Sequence, residues 1–322
     1  MITEIFQNQL FINFLILAAS LYILVKAADL IVLGISNYAR KFGISEYLIG
    51  FLVVSIGMSS PEFVSSLMGN LQNNGGIVLG AFFGAVISAL LLVVGTVAIF
   101  GRKISLESRL LKESRHYLWV LAAVPVAFML TGKIPRWGGG VLVSIFAAYV
   151  IYLWRREGTF GKLKKDVKIK KFWKDVLIFL GALVALLLAA RWMVFSAVKI
   201  SESLHVSSFL VALLVIGISS SLPDLSVQIR AIRKGHTHLA FGDVLGSTLC
   251  DMLLMLGIVA IVKPIVINAR SIVLSSIFYL GGLALVLWLI ENREMDYRHG
   301  ILMIGFYLLF IALQILSEAG IL

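Results

Sequence analysis

The chain has 322 residues, 60% of them hydrophobic and 14% charged, with a formal net charge of +11. A soluble domain carries about 45–50% apolar and 25% charged residues, so the composition excludes one and marks an integral membrane protein. The basic residues lie in loops between apolar runs, where they set orientation rather than bind nucleic acid, and the single cysteine, Cys250, excludes an internal disulfide or a thiolate metal centre.

Apolar runs are read at 9–36, 46–70, 76–100, 116–132, 138–154, 175–199, 206–231, 238–262, 271–290 and 299–318. At roughly 20 residues per crossing this gives about ten spans. Met1-Ile-Thr-Glu4 has no basic region before the first run, so that run is expected to be a retained helix and not a signal peptide. Connections are short except at 102–115 and at the strongly basic 155–174, which carries Lys162, Lys164, Lys165, Lys168, Lys170, Lys171 and Lys174. The chain is divided accordingly into a first five-helix repeat (1–154), a basic loop (155–174) and a second five-helix repeat (175–322). Lys and Arg are concentrated after the odd-numbered spans. The positive-inside rule then puts the 155–174 loop in the cytoplasm and both termini outside a multi-pass protein of the cell membrane.

A shift of 162 residues superposes one half on the other. Ala27 falls on Ala189, Ser45 on Ser207, Ser59 on Ser221, Pro61 on Pro223 and Glu62 on Asp224; Gly80, Gly84 and Gly95 fall on Gly242, Gly246 and Gly257. Five spans is an odd number, so two such halves must cross the membrane in opposite directions. The fold class is therefore an all-α membrane protein of two inverted five-helix repeats with broken helices at the midplane, where such proteins place their binding sites.

Two stretches carry the chemistry. Ser55-Ile-Gly-Met-Ser-Ser-Pro-Glu62 and Gly217-Ile-Ser-Ser-Ser-Leu-Pro-Asp224 each interrupt an apolar run with Pro followed by an acid. A carboxylate at membrane depth costs about 2.5–3.5 kcal/mol on insertion scales and needs a partner. Backbone carbonyls freed around Ser55 and Gly217, the hydroxyls of Ser59, Ser220 and Ser221, and the carboxylates of Glu62 and Asp224 make an all-oxygen set suited to hard cations such as Ca2+ and Na+. The bland alternative is a proline kink whose acid pairs with a base, Lys26 and Arg191 being the nearest. Downstream, Asp243, Ser247 and Asp251 recur every four residues and so share a helical face. Asp251 reads as a ligand; Asp243, nearer the helix start, reads equally as a cap, a gate or a ligand. The first half has Ala81, Ala85 and Ala89 at the matching places, leaving Gly80 and Gly84 as a helix-packing face. Asp29 falls on Arg191, a match that fits a salt bridge and a pair of interface anchors equally well.

These residues resemble the cation/Ca2+ exchanger superfamily, in particular prokaryotic sodium/calcium exchanger-like proteins. That family carries two Gly-Thr-Ser-Leu-Pro-Glu-like motifs, each followed by a Gly-Asn-x-x-Gly-Ser-Asn-like motif. Ser59, Pro61 and Glu62 match the first motif; Ser220, Ser221, Leu222, Pro223 and Asp224 match its repeat; Asp243, Ser247 and Asp251 match the stripe that follows. The resemblance implies Glu62 and Asp224 as the central pair for Ca2+ and, alternately, Na+, flanked by Ser220, Ser221, Ser247 and Asp251. Met58, Ser60, Ala85, Ala89 and Asp224 depart from the family pattern, thinning the ligands of the first half and leaving fewer Na+ sites, proton coupling or another cation open.

The function expected is secondary antiport of Ca2+ or a similar divalent cation against Na+. Proton coupling, a passive cation pathway or a non-transporting sensor are the alternatives. No nucleophile–base set, phosphate loop or metal motif indicates an enzyme. No cofactor is expected beyond the transported Ca2+ and Na+ or H+, and the expected partners are those cations and membrane lipid, with no nucleic acid and no obligate protein.

Overall fold

The computed structural model describes residues 9–23, 26–27, 30, 55–101, 103–105, 109–157, 169–218, 221, 224–225, 228–229, 232, 237–267, 269–292 and 294–318. Its apolar runs are helical because lipid offers backbone N–H and C=O groups no partner outside the segment. In chain order the elements are α1 (Gln9–Ile23), α2 (Ser55–Met58), α3 (Ser60–Leu71), α4 (Gly75–Ile87), α5 (Val94–Gly101), β1 (Lys103–Ser105), α6 (Arg109–Leu130) and β2 (Lys133–Ile134). There follow α7 (Arg136–Glu157), α8 (Ile169–Leu204), α9 (Ser208–Val211), α10 (Thr237–Leu249), α11 (Leu256–Val262), β3 (Ile265–Val266), α12 (Ala269–Asn292), β4 (Glu294–Asp296) and α13 (Tyr297–Glu318). Among the described residues, Gly75–Phe100, Arg136–Leu153, Phe241–Val262, Ile272–Glu291 and Tyr297–Glu318 are long and apolar enough to cross a bilayer.

Among the described residues three segments wind as π-helix: Ser88–Val93 joins α4 to α5, Ala212–Ile216 follows α9, and Cys250–Met255 joins α10 to α11. A π turn widens the helix by one residue and is common at functional sites. The bounds of these elements repeat. Helices starting at 75 and 237, π segments at 88 and 250, and helices at 94 and 256 are each 162 residues apart. Packing partners are exchanged between the copies: α5 lies on α13, while α11 lies on α7. At the two crossings a Cβ on Gly95 would lie 3.0 Å from the Gly300 carbonyl, and one on Gly257 would lie 2.9 Å from the Gly139 carbonyl. The strand pairs β1–β4 and β2–β3, which sequence periodicity does not announce, follow the same exchange; they satisfy backbone groups in the short connections between spans. Two helices start inside segments read as connections, α6 at Arg109 and α8 at Ile169. Charged residues do not stop a helix once its apolar part is packed.

The interior is centred on α4 and α10 with their π segments. Phe82, Phe83, Leu90, Leu253 and Leu256 are fully buried, whereas Trp192 on α8 and Ile301 and Leu308 on α13 face outward, as lipid-facing side chains do. Gly80 and Gly84 press against the backbone of Phe209–Gly217, and Gly84 and Gly217 meet backbone to backbone. Small residues here let the helices approach closely. Asn70, at the end of α3, donates through Nδ2 to the carbonyls of Val259 (3.1 Å) and Lys263 (2.7 Å), so it closes the C-terminus of α11. Asn70→Ala strands the Lys263 carbonyl and leaves the Val259 carbonyl only the Lys263 N–H. The expected loss is about 1–3 kcal/mol, checked as a fall in melting temperature of the purified protein in detergent.

Candidate cation site

Pro61 sits in the first turn of α3, where its missing N–H is tolerated, and Glu62 follows it. The interruption is a single residue, Ser59, held in a near-helical conformation (φ −73°, ψ −2°). This corrects the expectation of an unwound stretch around Ser55. The Ser55 carbonyl accepts the Ser59 N–H at 2.9 Å, and the Ser59 carbonyl accepts the Phe63 N–H at 3.0 Å. The carbonyl that loses its helical donor is that of Gly57, four residues before Pro61, because proline has no N–H. In the second half the Gly217 carbonyl accepts the Ser221 hydroxyl at 3.0 Å, so it too is engaged.

Glu62 and Asp251 are buried, each 4% exposed, and lie within electrostatic reach of each other. They come from opposite halves: α3 carries Glu62 and packs on the π segment that carries Asp251. The Ser59 hydroxyl is beside Asp251, yet Ser59 Oγ and Asp251 Oδ1 complete no hydrogen bond with any described residue. A buried polar atom left in this state costs about 1–3 kcal/mol, more for a charged one. Ser247 donates to the Val244 carbonyl at 3.1 Å. A hydroxyl whose hydrogen is spent on its own helix turns its lone pairs outward, so Ser221 and Ser247 are both oriented as acceptors. Asp224 is half-buried, and Ser220 lies outside the described residues, as does Asp29. Arg191 is exposed, and so is Lys26, whose ammonium sits 5.9 Å from the Tyr22 ring.

Asp243 belongs to a separate polar cluster. Its Oδ1 accepts from Ser55 Oγ and its Oδ2 from Gln228 Nε2, each at 3.3 Å, and Ser55 Oγ also reaches the Asp243 carbonyl at 3.2 Å. Gln228 is absent from the sequence-derived set. Its signal was available: it lies four residues after Asp224, on the same helical face. Ala81, Ala85 and Ala89 are buried in packing contacts. Among the described residues no three His, Cys, Asp or Glu side chains converge to hold a resident metal.

Buried acids from two repeated halves, set in hydroxyl oxygens inside a helical membrane protein, define the class: a carrier of cations, of the exchanger type. The chain belongs to the sodium/calcium exchanger protein family, whose model matches residues 12–155 and 174–316. It is 25% identical to the sodium/calcium exchanger MaX1 of Methanosarcina acetivorans over 93% of this chain and 97% of that protein. It is 26% identical to the inner membrane protein YrbG of Escherichia coli over 77% and 79% of the two chains. In fold it is similar to the sodium-calcium exchanger NCX_Mj soaked with 10 mM Na+ and zero Ca2+, with a TM-score of 0.69 at 22% identity, covering 94% of this chain and 99% of that one.

Proposed function

We propose that the protein is a secondary antiporter that exchanges Ca2+, or a similar divalent cation, for Na+ by alternating access. The observation that carries this reading is Asp251, whose buried Oδ1 has no hydrogen-bond partner among the described residues and whose carboxylate lies within electrostatic reach of Glu62 from the other half. Two facing carboxylates in low dielectric repel unless a cation stands between them. Glu62, Asp224 and Asp251 supply the charge, and Ser59, Ser220, Ser221 and Ser247, with the Gly57 carbonyl that Pro61 leaves without a helical donor, supply neutral oxygens. Antiport follows because the empty acids are costly, so the site returns across the membrane only when reloaded. The exchange of packing partners between repeats supports two related halves, read here as oppositely oriented; the Lys and Arg distribution supports both termini outside and the 155–174 loop in the cytoplasm.

Proton coupling is the second reading, favoured by one observation: Ala85 and Ala89 are buried where the other half has Ser247 and Asp251, which removes oxygen ligands for extra Na+. Uptake of 45Ca2+ into proteoliposomes under separately imposed outward Na+ and H+ gradients decides between them. Na+-driven uptake is expected. Uptake driven by H+ alone selects the second reading, and uptake indifferent to both gradients indicates a passive pathway and overturns antiport.

A further inference from the structure

Asp243 is 3% exposed, and its carboxylate is poorly compensated. Both of its hydrogen bonds come from neutral donors at 3.3 Å, longer than the ~2.7–2.9 Å usual when an ionised group takes part. Among the described residues no basic side chain pairs with it. Gln228, also 3% exposed, is shared with a cleft lined by Val94, Val97, Ile232, Phe241 and Val244, where it is the one polar side chain among the described residues. Eight residues of helix separate Asp243 from Asp251, a rise of about 12 Å, so the cluster has ligands of its own although Asp243 stays within electrostatic reach of Asp251.

We propose that Asp243, Ser55 and Gln228 form a second cation station, specific for a monovalent ion and set to one side of the central site. This rests on the exchanger reading above for its place in the cycle, not for its chemistry. One carboxylate among neutral oxygens balances a single positive charge, whereas a divalent ion would leave a net charge in low dielectric. The ligands are an Asp243 carboxylate oxygen, a lone pair of Ser55 Oγ and Gln228 Oε1. A half-turn of the terminal amide, a broad and roughly two-fold torsion, brings that last oxygen round. The station exists in one copy. At the repeat-equivalent places stand Ala81 for Asp243, Ser66 for Gln228 and Gly217 for Ser55, which together carry no charge. With the loop before α10 cytoplasmic, as proposed above, the station serves the cytoplasmic face.

The test is thermal stabilisation of the full-length protein in detergent, titrated separately with NaCl (choline chloride held at constant ionic strength) and with CaCl2. For Asp243→Asn the NaCl concentration giving half the maximal shift is expected to rise at least tenfold, and that for CaCl2 by less than threefold. Asp251→Asn is expected to weaken both. Gln228→Leu, which keeps the acid and most of the volume, is expected to raise the NaCl value at least threefold, and serves if Asp243→Asn does not fold. Equal weakening of both ions by Asp243→Asn merges Asp243 with the central site and overturns the station, as does an unchanged NaCl midpoint or a wild-type protein that NaCl does not stabilise. Because binding is read without transport, failure of exchange in proteoliposomes would refute the proposed function and leave this result standing.

Discussion

Glu62→Gln is expected to abolish Ca2+ uptake and to remove the thermal stabilisation given by CaCl2, while the folded protein survives. Gln has nearly the volume of Glu, so the turn after Pro61 is undisturbed. What disappears is a buried charge, and removing one partner of a buried ionic contact costs about 3–5 kcal/mol, at least a hundredfold in affinity at about 1.4 kcal/mol per tenfold. The sign reverses without ions. Glu62 lies within electrostatic reach of Asp251 from the other half, so the neutral amide relieves a repulsion, and in EDTA and Na+-free buffer the variant should melt no lower than the wild type. Paired melting curves with and without CaCl2 check both halves of the statement. A variant that keeps its Ca2+-induced shift moves the site elsewhere.

Gly217→Ala is expected to destabilise the protein even though it improves the helix. Gly217 has helical dihedrals (φ −63°, ψ −42°), where Ala is favoured over Gly by about 1 kcal/mol. Against that, an added Cβ runs into the backbone of Gly84 and the Ala85 N–H. Backbone cannot swing aside as a flexible side chain can, and overpacking of this kind costs about 1–3 kcal/mol or more. The packing term wins. Gly140→Ala is the matched control: nothing lies within 4 Å of a Cβ there, so the propensity gain stands alone and the melting temperature should rise. Melting in detergent compares the two directly, and a Gly217→Ala protein as stable as Gly140→Ala would show that the helices can part at no cost.

The first-half interruption illustrates what a linear reading can and cannot reach. Pro61 followed by Glu62 in an apolar run is visible at once, because composition and spacing report the cost of polar groups in lipid. How far the helix opens is not visible. Ser59 turns within a continuous hydrogen-bond pattern, so the carbonyl left without a helical donor is that of Gly57, four residues before Pro61, and not that of Ser55. Gln228 was missed for a related reason. A single amide in an apolar helix has no fixed meaning until the chain from the other half arrives, and here Ser55 and Gln228 close on Asp243 from either side.

The sequence by itself determined the membrane class, the 162-residue repeat, the family and the acids worth testing, because hydrophobicity, periodicity and the cost of burying charge are properties of residues along one chain. Only the tertiary structure decided that Asp251 comes within electrostatic reach of Glu62, that Asp243 has hydrogen-bond partners of its own, and that Gly84 and Gly217 touch. Those facts depend on which helices cross and how closely, and that is set by packing between halves more than a hundred residues apart.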